Sequence, residues 1–269
     1  FATTSTASNG SWWLSPAILG GETPPPCVGD YHLGINAGKP LFVVQDFTTS
    51  TGSAFANGVT HTLAASRVLS SGRLRLFVDG AQRSTVVAGT ASLICPTNLY
   101  VGSSTGVDGF WTGDLFEIAA FDKVLNTLER TLVEEYLAAR HGSDPNTELY
   151  AFRASHGGDV AGIGLDADGN RIDAAEGAGI LRVSQPSALS AGDYLLWGTD
   201  APRDFALVAD VPPPFPRRLK RTWAYSVTDG GAQDGVGLVD LRFRVGGLFL
   251  SEQPGDFALL FDDDGAFFD

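Results

Sequence analysis

The chain has 269 residues, 43% of them hydrophobic, a length for one large or two ordinary domains with enough apolar side chain to bury a core, which excludes global disorder. Acidic residues outnumber basic ones, 31 to 18, and the resulting net charge of −13 repels nucleic acid. No run of about 20 apolar residues could span a membrane, and two cysteines without a Cys/His cluster exclude a structural zinc site.

Glycine is abundant, at 33 residues, and Ser, Thr, Asp and Asn crowd between short apolar runs. That mixture predicts many short strands joined by tight turns. Up to about Ala120 the runs of β-formers are Trp12–Leu14, Tyr31–Ile35, Leu41–Val44, Thr60–Ala65, Leu74–Val78, Leu99–Gly102 and Asp114–Phe121. Arg73 to Val78 alternates polar and apolar residues, as a half-buried antiparallel strand does, and Asp79-Gly80 after it is a strong hairpin signal.

A helix is predicted over residues 126–141. Asn126 and Glu129 form a capping-box pair, Leu128, Leu132, Val133, Tyr136 and Leu137 make one apolar stripe expected to lie against the sandwich, and Gly142 supplies the stop. Ser143 to Thr147 is a polar connector, which places a domain boundary near residue 145, between a first domain at 1–142 and a second at 143–269. The β pattern then resumes at Val160–Gly164, Gly179–Val183, Tyr194–Gly198, Arg221–Val227, Leu238–Val245 and Phe257–Phe261. The chain starts without methionine and stops abruptly after Phe267-Phe268-Asp269, so it is expected to be a segment of a longer protein, its second module truncated at the C-terminus.

Gly72–Gly80 resembles the signature strand and turn of laminin-G-like, concanavalin A-like jelly rolls. Leu99–Gly102 resembles the next strand of that family, Gly113–Asp122 the strand before its closing segment, and Glu134–Gly142 the terminal helix of bacterial members. His61 stands where these domains often carry a Trp-His pair, here with Thr60 in place of the tryptophan. The resemblance covers about residues 10–142. Asp159–Asp166, Gly192–Gly198 and Arg218–Trp223 resemble an uncharacterised module that follows such jelly rolls in large secreted bacterial proteins. The expected fold is therefore mainly β: an antiparallel jelly-roll β-sandwich with one closing α-helix, then a second β-rich, sandwich-like domain. The resemblance implies an extracellular or cell-surface setting, and the family includes glycan binders, adhesive modules and glycanases.

Glycanases on this fold need two carboxylates flanking the scissile bond. Asp114 and Glu117 are the nearest pair, but a spacing of three puts them on opposite faces of a strand, so structural roles are expected for both. His32, His61, His141 and His156 have no triad-like or metal-like spacing. A non-catalytic protein is expected.

Asp166, Asp168 and Asn170 alternate like the start of a calcium loop, and Asp262 and Asp264 form a similar cluster; for both an ordinary Asp-Gly turn is the leading explanation. Asp79, Asp108 and Asp122 are further loop candidates for calcium. Cys27 and Cys95 each sit beside proline, and the choice between a disulfide and two buried thiols stays open. Trp12, Trp13, Phe110 and Trp111 are candidates for stacking on sugar rings, with core packing as the alternative; at least one of the adjacent Phe110 and Trp111 must point away from the other. The leading expectation is an extracellular binding or adhesion module of a bacterial surface protein that meets a glycan or cell-surface protein through sandwich-rim loops, with calcium as a candidate organiser. The alternative is a self-assembling subunit or spacer of a surface filament, sheath or layer. A glycan hydrolase comes last.

Overall fold

The structure, a computed structural model, describes residues 1–8, 10–21, 29–93, 98–177, 179–200, 206–207, 211, 213–231, 235–244 and 258–261. The chain forms two compact units, Phe1–Thr147 and Glu148–Asp269.

The first unit holds β1 (Ala17–Gly21), β2 (Tyr31–Asn36), β3 (Lys39–Val44), β4 (Phe47–Ser50), β5 (Leu63–Val68), β6 (Arg73–Val78), β7 (Ala81–Val87) and β8 (Tyr100–Val101). They pair antiparallel in two sheets, β4-β3-β2-β1-β8 and β5-β6-β7. Three two-residue hairpins set the register: Asn36 faces Lys39, Val44 faces Phe47 and Val78 faces Ala81. All six turn residues (Ala37-Gly38, Gln45-Asp46 and Asp79-Gly80) have positive φ, which matches the right-handed twist of the flanking strands. Of the three turns, Asp79-Gly80 carries the expected signature. Gln45-Asp46 reaches the same geometry without a glycine, held by its strands.

Val44 of β3 and Leu74 of β6 pack with Ala88, surrounded by Tyr31, Phe42, Val86 and Leu93. The alternation read in Arg73–Val78 is realised, with Leu74 and Leu76 buried and Arg73 exposed. Trp12–Leu14, read as a run of β-formers, is instead one turn of 3-10 helix, closed by Ser15 N–H on Trp12 O (3.0 Å). Asp114–Phe121 forms no strand beyond a bridge between Asp114 and Ala2. Its apolar residues do not alternate (Leu115-Phe116, then Ile118 to Phe121), so neither face could be buried cleanly against a sheet.

The helix α1 spans Thr127–His141 with the predicted caps: the Asn126–Glu129 capping box is complete and Gly142 adopts φ 72°. Its packing differs from the expected stripe. Leu128, Glu134, Glu135 and Ala138 are buried, while Leu132, Val133, Tyr136 and Leu137 are half-exposed. Polar anchoring rotates the helix. Arg130 donates to both carboxylate oxygens of Glu134 (2.9 and 3.0 Å) and to Gly80 O (2.9 Å), and its guanidinium lies 4.2 Å from the Phe77 ring centroid. Burial pushes the Glu134 carboxyl upward, opposed chiefly by Arg130. A buried carboxylate is tolerated when charge and hydrogen bonds accompany it.

The second unit has a short helix, α2 (Arg153–His156), then β9 (Gly158–Leu165), β10 (Arg171–Ile172), β11 (Ala174–Gly177), β12 (Leu181–Ser184), β13 (Asp193–Thr199), β14 (Ala206–Leu207), β15 (Arg218–Leu219), β16 (Trp223–Thr228) and β17 (Asp240–Phe243). The antiparallel sheets are β10-β9-β13-β16, β11-β12-β17 and the pair β14-β15. Ile163, Leu195 and Trp197 from the first sheet close on Leu181 and Val183 from the second, with Val236 completing a sandwich core. Gly198 is required where it stands: a Cβ there would collide with His156 O and the Tyr150 hydroxyl.

Candidate binding surface

The 3-10 turn sets Trp12 edge-on against Trp13 (5.5 Å between ring centroids) and His32 (5.8 Å). His32 is fully buried and burial pushes its ring down to about 4, so it is neutral at pH 7. Trp13 is 39% exposed and Trp12 is half-buried. Trp12 forms one wall of an open concavity of about 410 Å³, whose other side chains include Asn36, Lys39, Thr48 and Ser50. Register places these four together: Asn36 pairs with Lys39 across the first hairpin, and Thr48 and Ser50 of β4 pair with Val43 and Leu41, on the Lys39 face of β3. Lys39, Thr48 and Ser50 are exposed. Asn36 Oδ1 is buried and accepts no hydrogen bond, an uncommon state for a buried acceptor. Sequence reasoning found Trp12 but missed these polar partners, whose proximity depends on two strand pairings.

The loop 103–109 brings up the second aromatic pair. Ser103 Oγ donates to Asp108 O (2.6 Å), and Thr105 Oγ1 accepts from the amides of Val107 and Asp108 (3.1 and 2.9 Å). Gly109 O takes the Ala17 amide (3.0 Å) and Gly102 O takes that of Trp111 (2.9 Å). Successive side chains diverge as expected: Phe110 is 61% exposed, and Trp111 is half-buried edge-on to Phe1 at 5.7 Å. Among the described residues no ring contact joins Trp12 and Trp13 to Phe110 and Trp111, so they form two separate features.

His61 is nearly buried, with its Nδ1 2.7 Å from Asp79 Oδ2 and its Nε2 3.0 Å from Asn57 Oδ1. Asp79 Oδ1 accepts the Thr62 amide (2.9 Å). Both Asp79 oxygens thus brace β5 against the β6–β7 turn. Phe1 and Phe55 flank His61 at 5.7 and 5.2 Å.

Asp166 Oδ1 accepts the amides of Asp168 and Asn170 (3.0 and 2.8 Å), and Oδ2 accepts Asn170 Nδ2 (2.7 Å). The cluster is a tight turn between β9 and β10, with the Asp166 carboxylate directed at its own loop. Asp108 and Asp122 are exposed. Among the described residues no three His, Cys, Asp or Glu side chains converge as a metal site would require. Cys27, Cys95, Asp262 and Asp264 lie outside the described residues.

Glu117 anchors the end of α1: its carboxylate accepts the Tyr136 hydroxyl (3.1 Å) and lies 2.8 Å from His141 Nε2 and 3.4 Å from Arg140 Nε. Desolvation works against its charge, but hydrogen bonds from His141 and Tyr136, with the nearby His141 and Arg140, outweigh it and hold the carboxyl below its ordinary value. Asp114 sits in the bridge to Ala2.

Two antiparallel sheets joined by rim loops make a jelly-roll architecture, which unrelated binding, structural and catalytic proteins share. Residues 6–129 match the family model of the concanavalin A-like lectin/glucanases superfamily. No curated protein matches the sequence. Among solved structures, the crystal structure of an S-layer domain-containing protein (residues 221–444) from Clostridium thermocellum ATCC 27405 is similar over 50% of this chain and 69% of that one, at 16% identity and a TM-score of 0.26, too low to carry an argument. Among the described residues no helix is long and apolar enough to cross a membrane.

Proposed function

We propose that the chain is a non-catalytic binding module of an extracellular bacterial surface protein, and that its first unit takes up a saccharide at the Trp12 concavity. The carrying observation is the concavity that Trp12 shares with Asn36, whose Oδ1 has no hydrogen-bond partner, and with the exposed Lys39, Thr48 and Ser50. A sugar presents an apolar ring face to stack on an aromatic and hydroxyls to donate to such an acceptor. The match of residues 6–129 to the concanavalin A-like lectin/glucanases family model agrees with this reading. The engagement of Glu117 with Tyr136 and His141 supports a structural carboxylate over a catalytic one.

The test is a glycan array followed by titration of the strongest hit. Trp12→Ala and Asn36→Ala should each weaken binding about tenfold or more, an edge contact and an orphaned acceptor each contributing on the order of 1–2 kcal/mol. Phe110→Ala should leave it unchanged, and so should EDTA, since protein groups make the contacts. Absence of binding across the array, or affinity indifferent to both Trp12 and Asn36, rejects the site. Loss with EDTA would instead support calcium as the organiser of the rim.

A self-assembling surface subunit is favoured by one observation. The edge strand β8 pairs with β1 through two residues, and Val101 on it and Leu99 just before it are 61% and 60% exposed. Sedimentation of the 269-residue chain that shifts with concentration, and stops shifting in Val101→Lys, would support that reading; a monomer at all concentrations rejects it.

A further inference from the structure

The outer face of the β11-β12-β17 sheet carries an arrangement that the Trp12 site does not explain. Register sets Glu176, Arg182 and Arg242 in one row across the three strands, and Ala174, Ser184 and Asp240 in the next row on the same face. The opposite face turns Leu181 and Val183 into the core. Arg182 and Arg242 are therefore direct cross-strand neighbours of like charge, which destabilises a sheet. Neither has an ion pair or hydrogen bond among the described residues. Two nearby carboxylates are engaged elsewhere, Glu176 with Arg244 (2.9 Å) and Asp173 with Arg171 (2.6 Å), while Asp240, in the next row, makes no ion pair with either arginine among the described residues. The two guanidiniums border an open concavity of about 880 Å³ that Arg171, Asp173, Ser184 and Asp240 also line.

We propose that this face binds an acidic saccharide, a carboxylate-bearing glycan chain whose uronate group bridges Arg182 and Arg242. Each guanidinium presents a planar donor fork that matches a carboxylate bidentately. Ser184, Asp173 and Asp240 supply partners for sugar hydroxyls. The Asp173 and Asp240 carboxylates act against an acidic peptide such as poly-aspartate, whose side chains bring charge without hydroxyls to donate to them. The concavity is open, which suits an extended chain passing over it. This site belongs to the second unit and stands independently of the Trp12 reading.

Calorimetric titration of the 269-residue chain with tetragalacturonate at low salt tests it. Binding is expected, weakening as salt rises. Arg182→Gln and Arg242→Gln should each reduce affinity about tenfold or more, and Arg242→Lys, which keeps the charge without the fork, should fall between. Trp12→Ala should leave this binding intact, so the two sites fail or succeed separately. In the free protein Arg182→Gln should raise the thermal midpoint, because it removes the opposed charge; this readout needs no ligand. Equal affinity for the methyl-esterified tetrasaccharide, no heat at millimolar ligand, or equally tight binding of hexa-aspartate would each overturn the proposal.

Discussion

Replacing Asp79 by alanine removes the brace between β5 and the β6–β7 turn. Two bonds go at once, the one to His61 Nδ1 (2.7 Å) and the one from the Thr62 amide (2.9 Å). The pair is well shielded, with side-chain exposures of 10% for His61 and 16% for Asp79, so water replaces little of what is lost. A charge-assisted bond of this kind contributes about 1.5–3 kcal/mol and the second about 1. Asp79 also sits at φ 51°, where alanine is strained and costs about 1 kcal/mol or more. The sum is a loss of roughly 4 kcal/mol from the first unit. Asp79→Asn tolerates the left-handed backbone and keeps one acceptor for Thr62, so it should cost only about 1–2 kcal/mol. Urea unfolding of the first unit gives the total, and hydrogen exchange at the Thr62 amide gives the local effect. A loss below 1 kcal/mol in Asp79→Ala with unchanged Thr62 protection would refute the bracing role.

Three further outcomes are expected. His32 is held down to about 4, against an ordinary 6.5, so the unfolded chain takes up its proton first. Stability should therefore fall as pH drops from about 6.5 towards about 4, by up to about 1.4 kcal/mol per pH step, and unfolding of His32→Leu followed across that range should lack this slope. Glu117, held below its ordinary value, adds stability that is present above about 4.5 and lost as pH falls through its lower folded value. Acid unfolding by circular dichroism should accordingly begin at higher pH in Glu117→Gln, and an unchanged acid midpoint would show the anchor to be idle. In the second unit Trp197 is 2% exposed at the centre of the core, and Trp197→Ala should cost about 3–5 kcal/mol in urea unfolding; a cost under 1 kcal/mol would mean that the two sheets do not pack through it.

Local patterns were legible and long-range ones were not. Asn126, Glu129 and Gly142 delimit the helix because capping is satisfied within four residues, and the observed helix Thr127–His141 follows them. The helix face was misread: hydrophobicity pointed to Leu132, Val133, Tyr136 and Leu137, whereas Arg130 and Glu134, anchored on Gly80 and Phe77 some fifty residues earlier, turned another side inward. Asp114 to Phe121 held β-forming residues but no alternation, and composition alone did not make it a strand. Of the aromatic candidates, Phe110 and Trp111 diverged as period two requires. Trp12 acquired meaning only beside Asn36, whose orphaned oxygen has no signature in a one-dimensional string.

The amino-acid order by itself determined the β class of the chain, the Asp79-Gly80 hairpin, the alternation of β6 and the limits of the helix, because each arises between residues a few positions apart. Strand pairing decided the rest. It opposed Arg182 to Arg242, joined His61 to Asp79 and assembled Trp12, Asn36, Lys39, Thr48 and Ser50 around one concavity. Register is a cooperative property of the whole sheet, since a slip of one residue would send each of these side chains to the opposite face.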